Sequence, residues 1–379
     1  MGTKRLRDIL FFVHRYLGLG FGLILILIGI TGSLLVFHHE IEDWLISQRY
    51  EIVVPQGQPI SVDKAVEIAK SAYPSWQIDE LSLPKDNRHP LMLGFVAPDV
   101  NPNLYEHGFY KVLVNPYTGE VMGNFATRFT FYRFLLNLHY RLFLPGEWAG
   151  RIVTGITALF LLITAMTGVI LWPGWRKLTT GFKIKWNAHI KRLNFDIHKV
   201  VGILAAVFLI FTAFTGIYLN FYDWMNPAIY ALTASTETES KLPTISDPKP
   251  GQTPILPSVA IATAQKALPN VQIESIYFVT SKNQPSPFEI YGKSGEIVYL
   301  DPYTAQVLKI EAPQQIKASL GDRISEFLFT LHFGTFWGIP SRILYIFVGL
   351  SPLILFITGL VMWGYRLMRN LKRDRANHE

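Results

Sequence analysis

The sequence predicts an α-helical membrane bundle of four transmembrane helices, internally duplicated, with two small α+β domains on the outer side. Half of the 379 residues are hydrophobic and the mean hydropathy is positive, a combination typical of membrane proteins. Four stretches contain no Asp, Glu, Lys or Arg and are long enough to cross a bilayer as helices. They are residues 16–39, 152–175, 200–222 and 343–365.

Basic residues indicate the orientation of these stretches. Lysines and arginines cluster before the first, between the second and third, and after the fourth. Because such residues remain on the cytoplasmic side, we predict a multi-pass protein with both termini cytoplasmic. The net charge of +7 is then explained by basic residues that lie beside membrane lipid, and nucleic acid is not needed as a partner. The first stretch is predicted to be a permanent anchor, because no small-residue cleavage site follows its long apolar run.

The segments follow one another in a simple order. We predict transmembrane helix 1 in 1–46, the first outer domain in 47–126, an interfacial helix with transmembrane helix 2 in 127–176, and a cytoplasmic loop in 177–194. The second half gives transmembrane helix 3 in 195–225, the second outer domain in 226–318, an interfacial helix with transmembrane helix 4 in 319–369, and a cytoplasmic tail in 370–379.

The chain repeats its own pattern, so that spans one and three match each other, as do spans two and four. The matched histidines are His14 with His198 and His139 with His332. A Thr-Gly pair recurs in every span, at 31–32, 167–168, 215–216 and 358–359. Between the spans, 72–78 matches 267–273 as the end of a helix and the start of a strand, and 115–119 matches 301–305 as a turn. This pattern predicts two halves related by a pseudo-two-fold axis along the membrane normal.

The matched histidines are candidate metal ligands. His14 and His198 lie at the cytoplasmic ends of their spans. His139 and His332 lie on the apolar stripe of short helices at the outer surface. A polar imidazole there costs free energy unless something binds it, and an axial metal bond is one compensation; a hydrogen bond to a neighbouring carbonyl is the alternative.

The chain has no cysteine, which leaves histidine as the soft ligand. Two opposed imidazoles suit six-coordinate haem iron better than zinc, which prefers four ligands. We therefore predict two bis-histidine b-type haems. The inner iron would be bound by His14 and His198, and the outer iron by His139 and His332.

Glycines and basic residues near these histidines are candidate contacts of the haems. The glycines of the Thr-Gly pairs would leave room for the flat macrocycle, with ordinary helix packing as the alternative, and they are Gly32, Gly168, Gly216 and Gly359. Arginines near the sites would hold haem propionates, with anchoring at the membrane interface as the alternative, and they are Arg15, Arg141, Arg151 and Arg342. Lys199 is a further candidate beside the inner pair.

The remaining histidines are weaker candidates. His38 and His39 close span one on the outer side and could supplement the outer pair, although symmetry argues against them because Tyr222 and Asp223 take their place in the second half. The others lie in polar surroundings and are expected at the surface: His89, His107, His189 and His378.

Several motifs together resemble the PepSY-associated transmembrane family over nearly the whole chain. They are H-R-Y-L-G-L at 14–19, N-P-Y-T-G-E-V at 115–121, the repeated Thr-Gly, and the order of span, outer domain and span. Within that family, the chain resembles the di-haem inner-membrane ferric-siderophore reductases of the ferrioxamine-uptake type. The resemblance implies PepSY-like periplasmic domains, the bacterial inner membrane, and an oxidoreductase that reduces ferric siderophores.

The predicted layout favours transmembrane electron transfer. One macrocycle cannot bridge a hydrocarbon core about 30 Å thick, whereas one haem at each face would let an electron cross in two steps. A cytoplasmic reductase or quinol would supply the electrons, since no dinucleotide-binding motif or P-loop is present. The ferric siderophore would dock between the two outer domains.

Two other functions compete with this one. The resemblance also allows a membrane-anchored PepSY-type regulator, peptidase inhibitor or sensor without redox activity, although an anchor needs no symmetric intramembrane histidines. A transporter is disfavoured, because the spans contain almost no polar or helix-breaking residues at the midplane.

Overall fold

The computed structural model describes residues 2–50, 53–98, 109–237, 242–246, 251–281, 284–312 and 318–376. Within those residues the helices are α1 (Gly2–Leu35), α2 (His38–Arg49), α3 (Val62–Ala72), α4 (Phe131–Arg141), α5 (Glu147–Leu171), α6 (Leu178–Phe182), α7 (Ile190–Asn220), α8 (Tyr222–Leu232), α9 (Pro257–Ala267), α10 (Leu320–Phe333) and α11 (Ile339–Ala376). The strands are β1 (Gln77–Ser82), β2 (Leu91–Val96), β3 (Phe109–Val114), β4 (Val121–Ala126), β5 (Ile273–Ser281), β6 (Gln284–Gly292), β7 (Ile297–Leu300) and β8 (Val307–Glu311).

The chain divides into two compact units. The helical unit comprises Met1–His39, Phe134–Glu237 and Ser319–Glu379. The sheet unit comprises Glu40–Arg133 and Thr238–Ala318, and it contains all the strands described.

Four helices of the helical unit are long and apolar enough to cross a membrane. These segments are Lys4–Leu35, Trp148–Trp175, Ile190–Asn220 and Ile339–Leu371. These four segments contain the uncharged stretches predicted from the sequence, except for the last few residues of the first and third stretches. The prediction of a multi-pass membrane protein is therefore confirmed by the length and composition of the helices. The helices also extend past the uncharged stretches, because charged residues are tolerated where a helix leaves the hydrocarbon.

The long helices form a four-membered bundle in which α1 and α7 each lie beside α5 and α11. The closest crossing joins α1 to α11. A Cβ atom built on Gly29 would lie only 2.2 Å from the Gly349 carbonyl oxygen, and the Ser33 hydroxyl donates to the Ile346 carbonyl at 3.1 Å. Small residues thus allow the backbones of the first and last spans to approach closely.

The short helices α4 and α10, which carry His139 and His332, are held firmly within the helical unit. Helix α10 begins with a capping box between Ser319 and Asp322 and ends at Gly334, whose φ of 68° is left-handed. The Tyr230 hydroxyl on α8 donates to Asp322 at 2.7 Å. Helix α4 is joined to the next span by a hydrogen bond from the Thr154 hydroxyl to the Tyr140 carbonyl at 2.8 Å.

The sheet unit is built from two segments with the same order of elements, a helix followed by four strands. The antiparallel sheet has the order β4-β3-β2-β1-β5-β6-β7-β8. Helices α3 and α9 contribute to its core: Ala65, Ala69, Ala260 and Ala264 are buried together with strand residues such as Leu93, Phe95, Ile276 and Val298. The helix ends and strand starts predicted at 72–78 and 267–273 are present.

The two segments predicted as separate outer domains share one sheet and one core. Strand β1 pairs with β5 in register, with Glu80 opposite Tyr277 and Leu81 opposite Ile276. The Ser258 backbone N–H on α9 also donates to Asp63 on α3 at 2.9 Å. Strand pairing and shared core residues therefore join the two segments into one unit, and docking of a siderophore on it stays a prediction.

The two predicted turns are stabilised in the same way. The Asn115 side-chain oxygen accepts from the backbone N–H of Tyr117 at 2.9 Å, and the Asp301 carboxylate accepts from that of Tyr303 at 2.8 Å. Burial acts to raise the pKa of Asp301, but the hydrogen bonds that it accepts, above all from Ser246, outweigh burial and lower the pKa to about 2.

Candidate functional site

The inner pair, His14 on α1 and His198 on α7, brings two imidazoles together inside the bundle. Their ring centres are 6.2 Å apart. His14 Nδ1 lies 2.9 Å from the Thr164 carbonyl oxygen and 3.1 Å from the Thr167 hydroxyl, both on α5. His198 Nδ1 lies 2.8 Å from the Thr358 hydroxyl on α11.

The outer pair, His139 on α4 and His332 on α10, repeats this arrangement. The ring centres are 6.3 Å apart. His139 Nδ1 contacts the Thr31 hydroxyl at 3.1 Å, and His332 Nδ1 contacts the Thr215 hydroxyl at 2.9 Å. Each histidine is therefore bonded to a threonine of its own half of the chain, while each pair joins the two halves.

The threonines act together with neighbouring backbone carbonyls, such as those of Thr164 and Ile28, in determining which ring nitrogen is protonated. Each hydroxyl donates its single hydrogen to a carbonyl four residues earlier in its own helix, as Thr358 does to Ile354 at 2.7 Å and Thr215 does to Phe211 at 2.8 Å. The hydroxyl oxygen then accepts from the imidazole, so Nδ1 carries the hydrogen. The lone pair of Nε2 is left for a ligand, as in histidines that bind metals.

The glycines of the Thr-Gly pairs lie against the histidine rings. A Cβ atom built on Gly32 would lie 3.0 Å from His139 Cε1, and one built on Gly168 would lie 3.0 Å from His14 Cε1. The corresponding distances from Gly216 to His332 and from Gly359 to His198 are 3.6 and 3.7 Å. The glycines therefore leave space for the imidazole rings, and their contact with a macrocycle stays a prediction.

Two opposed imidazoles are suited to a metal that arrives with most of its ligands already bound. In the part of the chain that the structure describes, no three His, Cys, Asp or Glu side chains come together to hold a metal ion. Two metal–nitrogen bonds of about 2 Å, each from a nitrogen about 1 Å from its ring centre, place opposed ring centres about 6 Å apart. Both pairs have this separation.

Electrostatics keeps the outer pair uncharged. Burial lowers the pKa of His139 to about 4, although a hydrogen bond to the Ile28 carbonyl acts to raise it. Burial and the neighbouring His139 lower the pKa of His332 to about 3. Both rings are therefore neutral near pH 7, the form that binds metals.

The inner pair opens into an apolar cavity of about 370 Å³. This volume is within the range of cofactor pockets. Arg15, predicted as a propionate contact, lines the cavity together with Arg7 and Arg366. Lys199 also reaches its wall, but its ammonium donates to the buried carboxylate of Asp196 at 2.6 Å.

The three arginines predicted at the outer site have partners of their own. Arg342 donates to the Val36 carbonyl at the end of α1, at 2.7 and 3.0 Å. Arg151 lies 3.5 Å from Asp223, and its guanidinium carbon is 4.9 Å from the ring centre of Trp148. Arg141 lies over Tyr140, at 5.7 Å from the ring centre. The role of these arginines as propionate contacts, or as anchors at the membrane interface, stays a prediction.

The other histidines are located away from the two pairs. His38 and His39 stack on each other with ring centres 3.9 Å apart, and the His38 ring donates to the Leu35 carbonyl at 2.7 Å. His189 begins α7, and His89 contacts Asp86 at 2.7 Å. His107 and His378 lie outside the described residues.

The histidines and glycines beside these pairs were predictable from the sequence, whereas the threonines carried no predicted role. The signal was present, because a threonine precedes the glycine in every span. The buried pair of Asp196 and Lys199 was also not predicted, although its spacing of three residues in a helix was the available clue.

The family model described as the PepSY-associated TM region matches residues 11–366. A search of curated proteins found no match to this chain.

Proposed function

Because this chain belongs to the family described as the PepSY-associated TM region, we propose that it is a di-haem ferric-siderophore reductase. It would be located in the bacterial inner membrane. Electrons would come from a cytoplasmic reductase or from quinol, and Fe(III) held by a siderophore would be reduced on the periplasmic side. Fe(II) is bound less tightly than Fe(III) by the hard oxygen ligands of such chelators, so reduction would release the metal.

One observation carries this proposal: two histidine pairs lie at opposite ends of the bundle, each with Nε2 available. On α1, His14 contributes to one pair and Thr31 supports the other, 17 residues away. At about 1.5 Å per residue, that spacing corresponds to roughly 25 Å along the helix. The separation is comparable with a hydrocarbon core of about 30 Å.

The residues at both pairs fit b-type haem. His14 with His198 and His139 with His332 would each hold one haem iron through their imidazoles, and among the described residues no third His, Cys, Asp or Glu side chain gathers there to hold a metal ion. When bound, haem iron supplies one-electron redox chemistry. The histidines would hold and orient it, and the threonine hydroxyls would fix their tautomer.

Other residues keep water out of the region between the pairs. Ala205, Leu209 and Val348 form a buried apolar cluster within the bundle, with Leu161 and Phe208 packed against it. No side-chain acid or base is required for one-electron reduction of Fe(III). The role of the bundle would be to hold and orient the haems and to insulate them from water.

The topology and ancestry of the chain are part of the same proposal. We place both termini in the cytoplasm and the sheet unit in the periplasm, following the distribution of lysine and arginine. The two helix-and-four-strand segments are proposed to be PepSY domains produced by internal duplication. The matching order of α3 with β1–β4 and α9 with β5–β8 supports this.

Reconstituted vesicles provide the test. The full chain is inserted into lipid vesicles that enclose a membrane-impermeant reductant, and ferric ferrioxamine is added outside with a coloured Fe(II) chelator. Wild-type vesicles should accumulate external Fe(II), and His198→Ala should reduce the rate to that of empty vesicles. His189→Ala, at the exposed histidine that precedes α7, is the control and should remain active. Equal rates in wild-type and empty vesicles would reject the reductase function.

A further inference from the structure

Trp172, the residue that follows α5, contains a buried donor without an acceptor. The residue is 6% exposed, and its indole Nε1 has no hydrogen-bond partner among the described residues. Buried N–H groups are nearly always bonded, because an unpaired donor has lost its hydrogen bond to water and gained nothing in return. An acceptor other than the described residues would resolve this.

The chain holds the indole ring in a closely fitted position. A Cβ atom built on Gly174 would lie 2.1 Å from the Trp172 ring, and one built on Gly181 would lie 2.6 Å from it. Phe182 packs edge-on against the same ring, with centres 5.2 Å apart. Two glycines and an aromatic ring therefore fix the ring plane, so the unpaired N–H is not a consequence of a loosely placed side chain.

The neighbouring Trp175 shows that an indole N–H in the turn after α5 can find an acceptor within the chain. Trp175 Nε1 donates to the Val169 carbonyl at 2.6 Å, although Trp175 is 63% exposed. The exposed indole thus has an acceptor within the chain, while the buried one has none among the described residues.

Trp172 lines the same cavity as the inner pair. The wall of this cavity includes His14 and His198 together with the cationic side chains of Arg15 and Arg366. An indole N–H can only donate, and guanidinium groups attract negative charge. The missing acceptor is therefore expected to be an anionic oxygen, and the carboxylates at one edge of haem have that chemistry.

We propose that Trp172 Nε1 donates a hydrogen bond to a carboxylate of the haem held by His14 and His198. This inference rests on the proposed function, since it requires haem at the inner pair. It assigns Trp172 as a residue that positions the cofactor within its pocket.

The test measures the rate at which the purified full chain loses haem to excess apomyoglobin. The kinetic phase that is missing in His198→Ala identifies the inner haem. Trp172→Phe should accelerate this phase about tenfold, the effect of losing one charge-assisted hydrogen bond. Trp175→Phe is the matched control and should change the rate less than twofold. Equal rates in the two variants would overturn the proposal.

Haem dimethyl ester, in which both carboxylates are blocked, separates a specific bond from a general disturbance of the pocket. With the ester, wild-type protein and Trp172→Phe should release the inner haem at similar rates. If Trp172→Phe still accelerates release of the ester, the residue acts by packing and the proposal is wrong. Failure of the wild-type chain to hold any haem would instead contradict the proposed function.

Discussion

Four threonine hydroxyls, together with neighbouring backbone carbonyls, decide which nitrogen each histidine offers to a ligand. Because each hydroxyl hydrogen is already donated within its own helix, its oxygen can only accept from the imidazole. The sequence analysis could not assign this role, since the contact between Thr358 and His198 depends on two helices being matched in depth. The Thr-Gly repeat alone is equally consistent with helix packing.

Removing one of these hydroxyls should weaken haem binding at one pair. Thr358→Val preserves the shape of the side chain but removes the hydroxyl that accepts from His198 Nδ1, leaving the Leu355 carbonyl beside the ring. Loss of such a supporting bond typically costs about 10- to 100-fold in metal affinity. Haem titration of the purified protein would measure this, and Thr358→Ser should restore binding. Thr157→Val is the control, because the Thr157 hydroxyl donates to the Val153 carbonyl of its own helix. Equal haem affinity in the valine variant at position 358 and the wild type would refute this role.

The four glycines should differ in their tolerance of alanine. A methyl group at Gly32 or Gly168 would lie 3.0 Å from a histidine ring, tighter than ordinary contact, whereas at Gly216 and Gly359 it would have 3.6 to 3.7 Å. We expect Gly32→Ala and Gly168→Ala to lower haem content or shift the midpoint potential. Gly216→Ala and Gly359→Ala should remain close to wild type. The same response in all four variants would contradict the geometry.

At the scale of elements, the crossing of α1 and α11 should be sensitive to small increases in side-chain size. A methyl group at Gly349 would lie 2.3 Å from the Ser33 hydroxyl oxygen and 2.6 Å from the Gly29 carbonyl oxygen, so the helices must separate. Overpacking of this kind costs about 1–3 kcal/mol. Gly349→Ala should therefore lower the thermal unfolding temperature in detergent by several degrees. Gly364→Ala is the control, because a Cβ atom at this position of the same helix would have nothing within 4 Å, and it should leave the unfolding temperature unchanged. A Gly349→Ala variant that melts at the same temperature as the Gly364→Ala variant would show that α1 and α11 are loosely packed at this crossing.

The turn before β8 should make stability depend on pH. The pKa of Asp301 is lowered to about 2, below the unfolded value near 3.9. Above the unfolded pKa, the ionised carboxylate therefore stabilises the fold by on the order of 2 kcal/mol. This stabilisation is lost as the pH falls through 2. Asp301→Asn keeps an oxygen acceptor but removes the charge, as in the matching turn at Asn115. The melting temperature of this variant should lie below that of the wild type at pH 7, with the gap closing towards pH 2. A gap that does not change with pH would contradict this explanation.

Local patterns predicted the elements better than their assembly. Missing charges located the four spans, and alternating strands around Asp301 and Asn115 located the turns. The pairing of β1 with β5 was not predictable, because it joins residues nearly 200 positions apart through backbone bonds that carry no sequence signature. For that reason the sequence analysis predicted two domains where the structure has one sheet unit.

At the scale of the whole molecule, the histidine pairs connect the two halves of the chain. His14 and His139 come from the first half, and His198 and His332 from the second, so neither pair can form within one half. A ligand bound between the rings would bridge the halves and stabilise their association. The same arrangement puts one histidine pair near each end of the bundle, as the proposed electron transfer across a membrane would need.

The central claim is that each pair holds one haem, and the most direct measurement is the visible absorption spectrum of the purified full chain, before and after dithionite, with haem quantified per chain. We predict reduced b-type bands and two haems per chain, with one lost in His198→Ala and one in His332→Ala. A protein without dithionite-induced bands, even after expression with added hemin, would contradict the account.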